Sequence, residues 1–310
     1  MALFYRIYNN QIFSAGDTPL LGFNTNEPLY IPDDYLENGE FLIMRTCHGI
    51  GDWCIISGIP RLLKEKYPNC KVYIPSSKML KDVFGNMMNN WGYGLYDASR
   101  VTEDIFKNNP YVDKFVDYVD GEVYHDHYRI YDSTNSKIPL TRQMLKFWQF
   151  TDDELTDTTP DIYFSDDEIK FGKELLGNVK NYGYIGVSST YGSTADTQLL
   201  IDKIKEYGDI HWFYYGENPI EETNLNFVKN YTSVKELNLN IRQQMYLRTN
   251  ALVNVGNESG MTLWCAKYSD THVLGNKTYG PLHGANLNGK PRKDPFKTGN
   301  FVDGINYMNQ

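Results

Sequence analysis

The stretch FLIMRTCHGIGDWCIISGIPRLLKEKYP, residues 41–68, combines three patterns in the order strand, turn and helix. An apolar run that begins at Phe41 is followed by the turn HGIGD and by an amphipathic pattern that predicts a helix over residues 53–66. This order is typical of an α/β fold with a parallel sheet. The turn ends at Asp52. Its carboxylate either caps the helix or acts as a catalytic base in a site at the end of a strand.

The same alternation of strand and helix patterns occurs twice along the chain, with a second series that begins at YGYIGVSST, residues 182–190. Two series predict two doubly wound, Rossmann-like domains that face a cleft, over residues 41–164 and 165–310. Short aromatic alternations before them predict a β-rich extension over residues 1–40. The strands are predicted near 41–45, 71–75, 112–118, 183–188, 210–215, 251–255 and 271–274, and the helices near 53–66, 77–84, 139–150, 196–207, 240–249 and 259–268.

The segment between the two series, residues 151–177, is acidic and contains one proline. Its second half predicts a helix that begins after Ser165, because Glu168 follows three residues later and the pair has the spacing of a capping box. We therefore interpret this segment as a connector that runs into the first helix of the second domain.

Composition excludes several classes of protein. Of the 310 residues, 41% are hydrophobic and 15% aromatic, which is typical of a folded globular chain. The formal net charge of −9 argues against nucleic acid as a partner, although a local basic groove would be compatible with this net charge. The four cysteines form no C-x-x-C pair, and no apolar run approaches the roughly 18 residues of a membrane span. We expect a soluble cytoplasmic protein with reduced thiols and no integral membrane segment.

Three further turns carry polar residues at the predicted ends of strands. Glu217 follows a hydrophobic strand, where an acid can accept hydrogen bonds from the ribose hydroxyls of a nucleotide. The loop SSTYGSTAD, residues 188–196, is suited to binding a diphosphate through backbone N–H groups. The turn GNESG, residues 256–260, precedes a helix and could bind a sugar or a phosphate. The alternatives are a solvated loop glutamate and ordinary tight turns. The predicted donor-binding residues are Ser189, Thr190, Ser193, Thr194, Glu217, Asn257, Glu258, Ser259, Gly260, Met261 and Thr262.

No metal or other cofactor is expected. His125 and His127 in YHDHY could form a metal clip, but no third ligand lies nearby in sequence, and alternating strand residues explain the pattern better. A D-x-D triplet, with which one class of glycosyltransferases holds a divalent metal and a sugar diphosphate, does not occur in the chain.

Taken together, several segments resemble the heptosyltransferase family, the ADP-heptose:lipopolysaccharide heptosyltransferases. The resemblance covers roughly residues 41–280 and lies in the order and spacing of four segments. They are FLIMRTCHGIGD with the following PRLLKEKYPNCKVYIPSS, NPYVDKFVDY (109–118), DIYFSDDEIKFGKELL, and GNESGMTLWCAK, which looks like the family's donor-site turn G-N-D-S-G.

The resemblance implies a GT-B fold and transfer of a sugar from a nucleotide-sugar donor to an acceptor hydroxyl. Asp52 matches the family's catalytic base, and Glu217 matches the acid that holds the donor ribose. Residues 258–260 match the turn that contacts the donor sugar and phosphates. The residues of the first turn expected on the acceptor side are His48, Gly49 and Gly51.

The chain departs from the family at two positions. The loop over residues 188–198 has no lysine, and Leu263 occupies the place of a histidine. Two alternatives therefore stay open beside an inverting, metal-independent transferase: a catalytically silent module that binds a nucleotide sugar or a glycan, and a sugar-nucleotide epimerase. A surface glycan is the expected acceptor, and a modified base in DNA is the alternative. The base and the sugar of the donor stay open.

Overall fold

The chain forms two largely parallel β-sheets with helices between the strands, as seen in a computed structural model. It divides into two compact units, with a six-stranded sheet in the first and a five-stranded sheet in the second. The α/β class predicted from the sequence is confirmed; the domain limits 1–40, 41–164 and 165–310 stay a prediction. The structure describes residues 4–8, 11–14, 33–43, 53–54, 56–80, 101–117, 122–126, 145, 148–151, 153–154, 159–187, 197–256, 260–265 and 267–273.

The first sheet has the strand order β2-β1-β6-β3-β4-β5. Strands β6, β3, β4 and β5 run parallel, whereas β1 is antiparallel to both β2 and β6. Since β3 lies between β4 and β6, the strand order reverses direction beside it, and the crevice at such a point is where open α/β sheets bind ligands. The strands are β1 (Phe4–Tyr8), β2 (Gln11–Ser14), β3 (Glu40–Leu42), β4 (Lys71–Pro75), β5 (Lys114–Val116) and β6 (Glu122–Asp126).

The helix predicted over residues 53–66 is interrupted. Trp53 and Cys54 are helical, a 3₁₀ turn covers Ile56–Gly58, and the α-helix begins only at Ile59. Pro60 explains the new start, because it lacks the N–H that a continuing helix needs and is tolerated in a first turn. The helices of this unit are α1 (Asp33–Asn38), α2 (Ile59–Lys66) and α3 (Val101–Phe106).

The second sheet consists of parallel strands in the order β9-β8-β7-β10-β11. Numbered by sequence within the sheet, this order is 3-2-1-4-5, which is the order of a doubly wound nucleotide-binding sheet. The strand order reverses direction between β7 and β10, and we call this place the switch point of the sheet. The sequence did not predict β9, which has no apolar run to mark it. The strands are β7 (Tyr182–Gly186), β8 (His211–Tyr215), β9 (Tyr231–Ser233), β10 (Val253–Gly256) and β11 (Asp270–Val273).

Helices cover both faces of the second sheet. Ile185 and Val255 face a core that includes Leu200, whereas Tyr182 and Tyr184 face the opposite core. The predicted capping box is confirmed: Glu168 N donates to Ser165 Oγ at 3.2 Å, and Ser165 N donates to Glu168 Oε2 at 2.9 Å. The helices of this unit are α4 (Asp166–Leu176), α5 (Thr197–Glu206), α6 (Ile241–Asn250) and α7 (Gly260–Cys265).

Candidate functional site

Three neighbouring strands of the second sheet end side by side. Gly186 at the end of β7 pairs with Tyr215 of β8 on one side and with Gly256 of β10 on the other. The sequence continues from these strand ends into the loops 188–196 and 257–259, which hold most of the predicted donor-binding residues. The carboxyl ends of β7 and β10 are also the switch point, so this edge is where the topology favours a ligand.

Two glycines leave the backbone bare at the switch point. A Cβ atom added to Gly256 would lie 2.0 Å from the carbonyl oxygen of Gly186, which is too close for any side chain. A Cβ added to Gly186 would lie 2.6 Å from Nη2 of Arg248. Glycine is therefore required at the end of β10, and the end of β7 lies directly against a guanidinium group.

Glu217 follows β8 at the same edge of the sheet, after Gly216. Its side chain is exposed, and its backbone carbonyl accepts a hydrogen bond from Lys235 Nζ at 3.2 Å. The same ammonium group lies 5.9 Å from the centre of the Tyr215 ring. The side chain of Glu217 is thus exposed just after the end of a strand, and Lys235 Nζ contacts its backbone.

Helix α7 carries three of the predicted donor-binding residues, Gly260, Met261 and Thr262. Met261 is half-buried, and Thr262 is 2% exposed. The Thr262 hydroxyl points into the fold, where its Oγ1 accepts a hydrogen bond from Arg248 Nη1 at 3.1 Å. Any contact of Thr262 with a ligand would therefore involve its backbone rather than its hydroxyl.

Arg248 is the residue at this edge that the sequence did not single out. It lies in the last turn of α6, where a basic residue ordinarily complements the helix dipole, and no local pattern distinguishes it. Its guanidinium carbon lies 4.1 Å from the centre of the Tyr184 ring. Burial raises the pKa of the Tyr184 hydroxyl and of the Cys265 thiol, and the Arg248 charge opposes that rise in both.

Most other predicted site residues lie outside the described residues. Gly260, Met261, Thr262 and Glu217 are described, and all four belong to the second unit. In the sequence, Asp52 follows Ile43, whose N donates to the carbonyl oxygen of Tyr73 beside β3, and directly precedes the buried Trp53. Of the two histidines considered for a metal site, His127 lies outside the described residues. The other predicted site residues outside the described residues are Asp52, His48, Gly49, Gly51, Ser189, Thr190, Ser193, Thr194, Asn257, Glu258 and Ser259.

A cavity of about 300 Å³ lies at the opposite edge of the second sheet, where Asp270 begins β11. The Tyr207 hydroxyl contacts Asp270 Oδ2 and His272 Nε2, both at 3.0 Å, and burial together with Asp270 raises the pKa of Tyr207. Because ligands of such sheets bind at the carboxyl ends of strands, we do not assign this cavity to the donor site.

Within the described part of the chain, no group of three or more His, Cys, Asp or Glu side chains is placed to hold a metal ion. Among the same residues, no helix is both long enough and apolar enough to cross a membrane. The expectations of a metal-free mechanism and of a cytoplasmic location stay predictions.

Comparison with known proteins finds likeness in structure only. No family model and no curated protein sequence matches the chain. It is similar to a glycosyl transferase family 9 protein of Veillonella parvula DSM 2008, with 11% identity, a TM-score of 0.51 and coverage of 79% of this chain and 85% of that one. It also matches ADP-heptose lps heptosyltransferase II of E. coli, at 11% identity and a TM-score of 0.47, over 86% of this chain and 98% of that one. The resemblance to the heptosyltransferase family seen in the sequence is thus confirmed at the level of the fold.

Proposed function

We propose that the protein is an inverting, metal-independent glycosyltransferase that moves a sugar from a nucleotide-sugar donor to an acceptor hydroxyl. One observation carries the proposal: every predicted site loop follows the carboxyl end of a parallel strand, at or beside a switch point. The loop with Asp52 follows β3, the loop 188–196 follows β7, and the turn 257–259 follows β10. The fold likeness to a glycosyl transferase family 9 protein supports the same reading.

The proposal includes the two-domain arrangement of GT-B enzymes. Rossmann-like domains over residues 41–164 and 165–310 would face a cleft, with the acceptor on the first domain and the donor on the second. Residues 1–40 would extend the first domain with β structure. Closure of the cleft would exclude water and limit hydrolysis of the donor.

In the proposed reaction, Asp52 takes the proton of the acceptor hydroxyl, whose oxygen attacks the anomeric carbon from the face opposite the nucleotide. The bond between the anomeric carbon and the phosphate oxygen breaks, and that oxygen keeps the electron pair. His48, Gly49 and Gly51 form the acceptor side of the same loop. A surface glycan is the proposed acceptor, and the location is cytoplasmic.

The donor would be held by the second domain. Glu217 accepts hydrogen bonds from the ribose hydroxyls. Backbone N–H groups of the two donor loops bind the diphosphate and stabilise the charge that develops on it, in place of a metal. These two groups are Ser189, Thr190, Ser193 and Thr194, and Asn257, Glu258, Ser259, Gly260, Met261 and Thr262.

The experiment that tests the proposal is Asp52→Asn. Asparagine caps a helix about as well as aspartate, so the melting temperature and the donor affinity should stay unchanged. Asparagine cannot accept the proton, and general-base catalysis contributes typically about 10²–10⁴-fold, so the rate of transfer should fall by that order. The rate is measured with excess chelator, in which the wild type should stay active. Full transfer by Asp52→Asn, or a chelator-sensitive wild type, would contradict the proposal.

A second candidate function is a catalytically silent module that binds a nucleotide sugar or a glycan. The missing loop lysine and Leu263 in place of the family's histidine favour it. Donor hydrolysis without acceptor separates the candidates: a transferase hydrolyses the donor slowly, and a silent module leaves it intact. An epimerase would convert the sugar and leave the nucleotide attached.

A further inference from the structure

Arg248 connects the end of helix α6 to the carboxyl edge of the second sheet. The residue is 5% exposed. Its Nη1 donates to Thr262 Oγ1 of α7, and its Nη2 lies against Gly186, the last residue of β7. The guanidinium group therefore lies beneath the end of the strand that borders the switch point.

The charge of this guanidinium is not balanced by a carboxylate within the described part of the chain. An arginine side chain stays protonated in proteins and offers five N–H donors. Among the described residues, the partners of Arg248 are all neutral: Nη1 donates to the Thr262 hydroxyl, and the Tyr184 hydroxyl and the Cys265 thiol also interact with the guanidinium. The buried Nε has no hydrogen-bond partner there. A buried charge without a counter-ion is costly to fold, so a bound anion would relieve this cost.

Three features of the surroundings favour a phosphate as that anion. The topology places a ligand crevice at the ends of β7 and β10. Gly186 has no side chain that would separate the guanidinium from this crevice. A guanidinium fork matches the geometry of phosphate oxygens, and arginine is therefore common in phosphate sites.

We propose that Arg248 is a donor-site residue that binds the phosphates of a nucleoside diphosphate at the carboxyl ends of β7 and β10. The inference rests on the proposed function for the identity of the ligand. It adds a cation, from helix α6 behind the sheet, to a site whose loop has no lysine. The anion site itself does not depend on catalysis.

The test is the binding of inorganic pyrophosphate, with chelator present, measured by calorimetric titration and by thermal unfolding. The variant is Arg248→Met, which keeps an unbranched apolar side chain and removes the charge. The matched control is Lys229→Met, which removes one charge from an exposed side chain just before β9. Its Nζ donates to the backbone carbonyl of Asn226.

We expect Arg248→Met to bind pyrophosphate about 10- to 100-fold more weakly than the wild type, the range for a hydrogen bond to a charged group. Lys229→Met should bind like the wild type. The melting temperatures should also respond differently to the anion: Arg248→Met lies close to the wild type without anion and falls below it at saturating pyrophosphate. Equal affinity of the wild type and Arg248→Met, or no binding of pyrophosphate by the wild type, would overturn the proposal.

If Arg248→Met does not fold, Arg248→Lys takes its place, since lysine keeps the charge without the fork. An intermediate affinity supports the proposal, and wild-type affinity counts against it. Glu217→Ala separates this inference from the proposed function. It should weaken the binding of ADP or UDP and leave pyrophosphate unaffected, because pyrophosphate has no ribose.

The two proposals fail separately. If pyrophosphate binds through Arg248 but no donor supports sugar transfer, the anion site is supported and the transferase function is contradicted. If Arg248→Met transfers sugar with an unchanged donor KM, the transferase function is supported and the role of Arg248 in the donor site is contradicted.

Discussion

Helix α6 carries one buried arginine near each end, and the two differ in how their charge is balanced. Arg242, 3% exposed, forms two hydrogen bonds of 2.9 Å with the carboxylate of Glu168, and its guanidinium lies 5.1 Å from the centre of the Phe164 ring. Arg248, 5% exposed, has neutral partners within the described part of the chain, namely the hydroxyls of Thr262 and Tyr184 and the thiol of Cys265. The two arginines are similarly buried, but only Arg242 is paired with a carboxylate among the residues that the structure describes. We therefore interpret Arg242 as a structural residue and Arg248 as the proposed anion-binding residue.

The largest expected effect is on the paired arginine. Arg242→Met leaves the carboxylate of Glu168 without its cation, and removing one partner of a buried pair is strongly destabilising. Because Glu168 is 15% exposed and keeps its bond to Ser165 N, we expect a loss of about 2–4 kcal/mol in the free energy of unfolding. Urea denaturation measures it. A loss no greater than that of Arg248→Met would show that pairing does not distinguish the two residues.

The second effect concerns the reach of Arg248 to the end of the strand. Gly186→Ala adds a methyl group 2.6 Å from Nη2, so the guanidinium must move, and we expect a cost of about 1–3 kcal/mol. In an Arg248→Ala background the methyl group meets space instead, and most of this cost should disappear. A double-mutant cycle in urea measures the coupling. If Gly186→Ala costs the same free energy of unfolding in both backgrounds, the Arg248 guanidinium does not lie against Gly186.

A third prediction extends the comparison to a more exposed pair in the first unit. Burial raises the pKa of Asp113, but bonds from Lys64 Nζ and Val72 N and the charges of Lys64 and Lys71 outweigh it, so the pKa lies below its ordinary 3.8. A lowered pKa stabilises the fold at pH above 3.8, and this contribution is lost as the pH falls through the folded-state value.

Asp113→Asn should therefore cost about 1–2 kcal/mol at pH 7, less than a fully buried pair because both partners are partly exposed. The difference from the wild type should shrink as the pH falls below 3.8. The exposed Asp153 offers the control, Asp153→Asn, for which we expect no effect at pH 7. Melting temperatures from pH 3 to pH 7 check both. A difference that grows toward low pH would have the wrong sign.

The smallest expected effect is that of Arg248→Met without any anion. The variant loses the contact with the Tyr184 ring and the hydrogen bond to the Thr262 hydroxyl, and removal of a buried charge offsets this loss. We expect the free energy of unfolding to change by about 1 kcal/mol or less in either direction. Urea denaturation in a buffer free of phosphate and sulfate measures it. A loss as large as that of Arg242→Met would make Arg248 a structural residue.

Local patterns in the sequence predicted much of the second unit. Four of its five strands lie within one or two residues of their predicted ends, because they are short segments rich in apolar, aromatic or β-branched residues. The helix after Ser165 was predicted because both bonds of a capping box form between residues three apart. The interruption before Pro60 and strand β9 were missed, since one depends on a helix restart and the other on pairing with β8.

In the candidate site too, some features could be predicted from the sequence and others depend on the tertiary structure. Glu217 and Gly256 could be placed after strands from the sequence, because a strand and the turn after it are local features. Gly186 lies inside the strand predicted over residues 183–188, and the structure shows that β7 ends there. That Gly186 and Gly256 are neighbours depends on the order of the strands, which joins segments far apart in the chain. No local rule states that order.

What the sequence by itself determined is the alternation of strands and helices and the polar turns that follow the strands. Both follow from periodicity and from turn chemistry, which act over a few residues. Only the tertiary structure decided that β7 lies beside β10, that Arg248 is buried among neutral groups of the described part of the chain, and that Arg242 is paired with a carboxylate. The charge state of a site depends on which distant groups surround it, and packing alone brings those groups together.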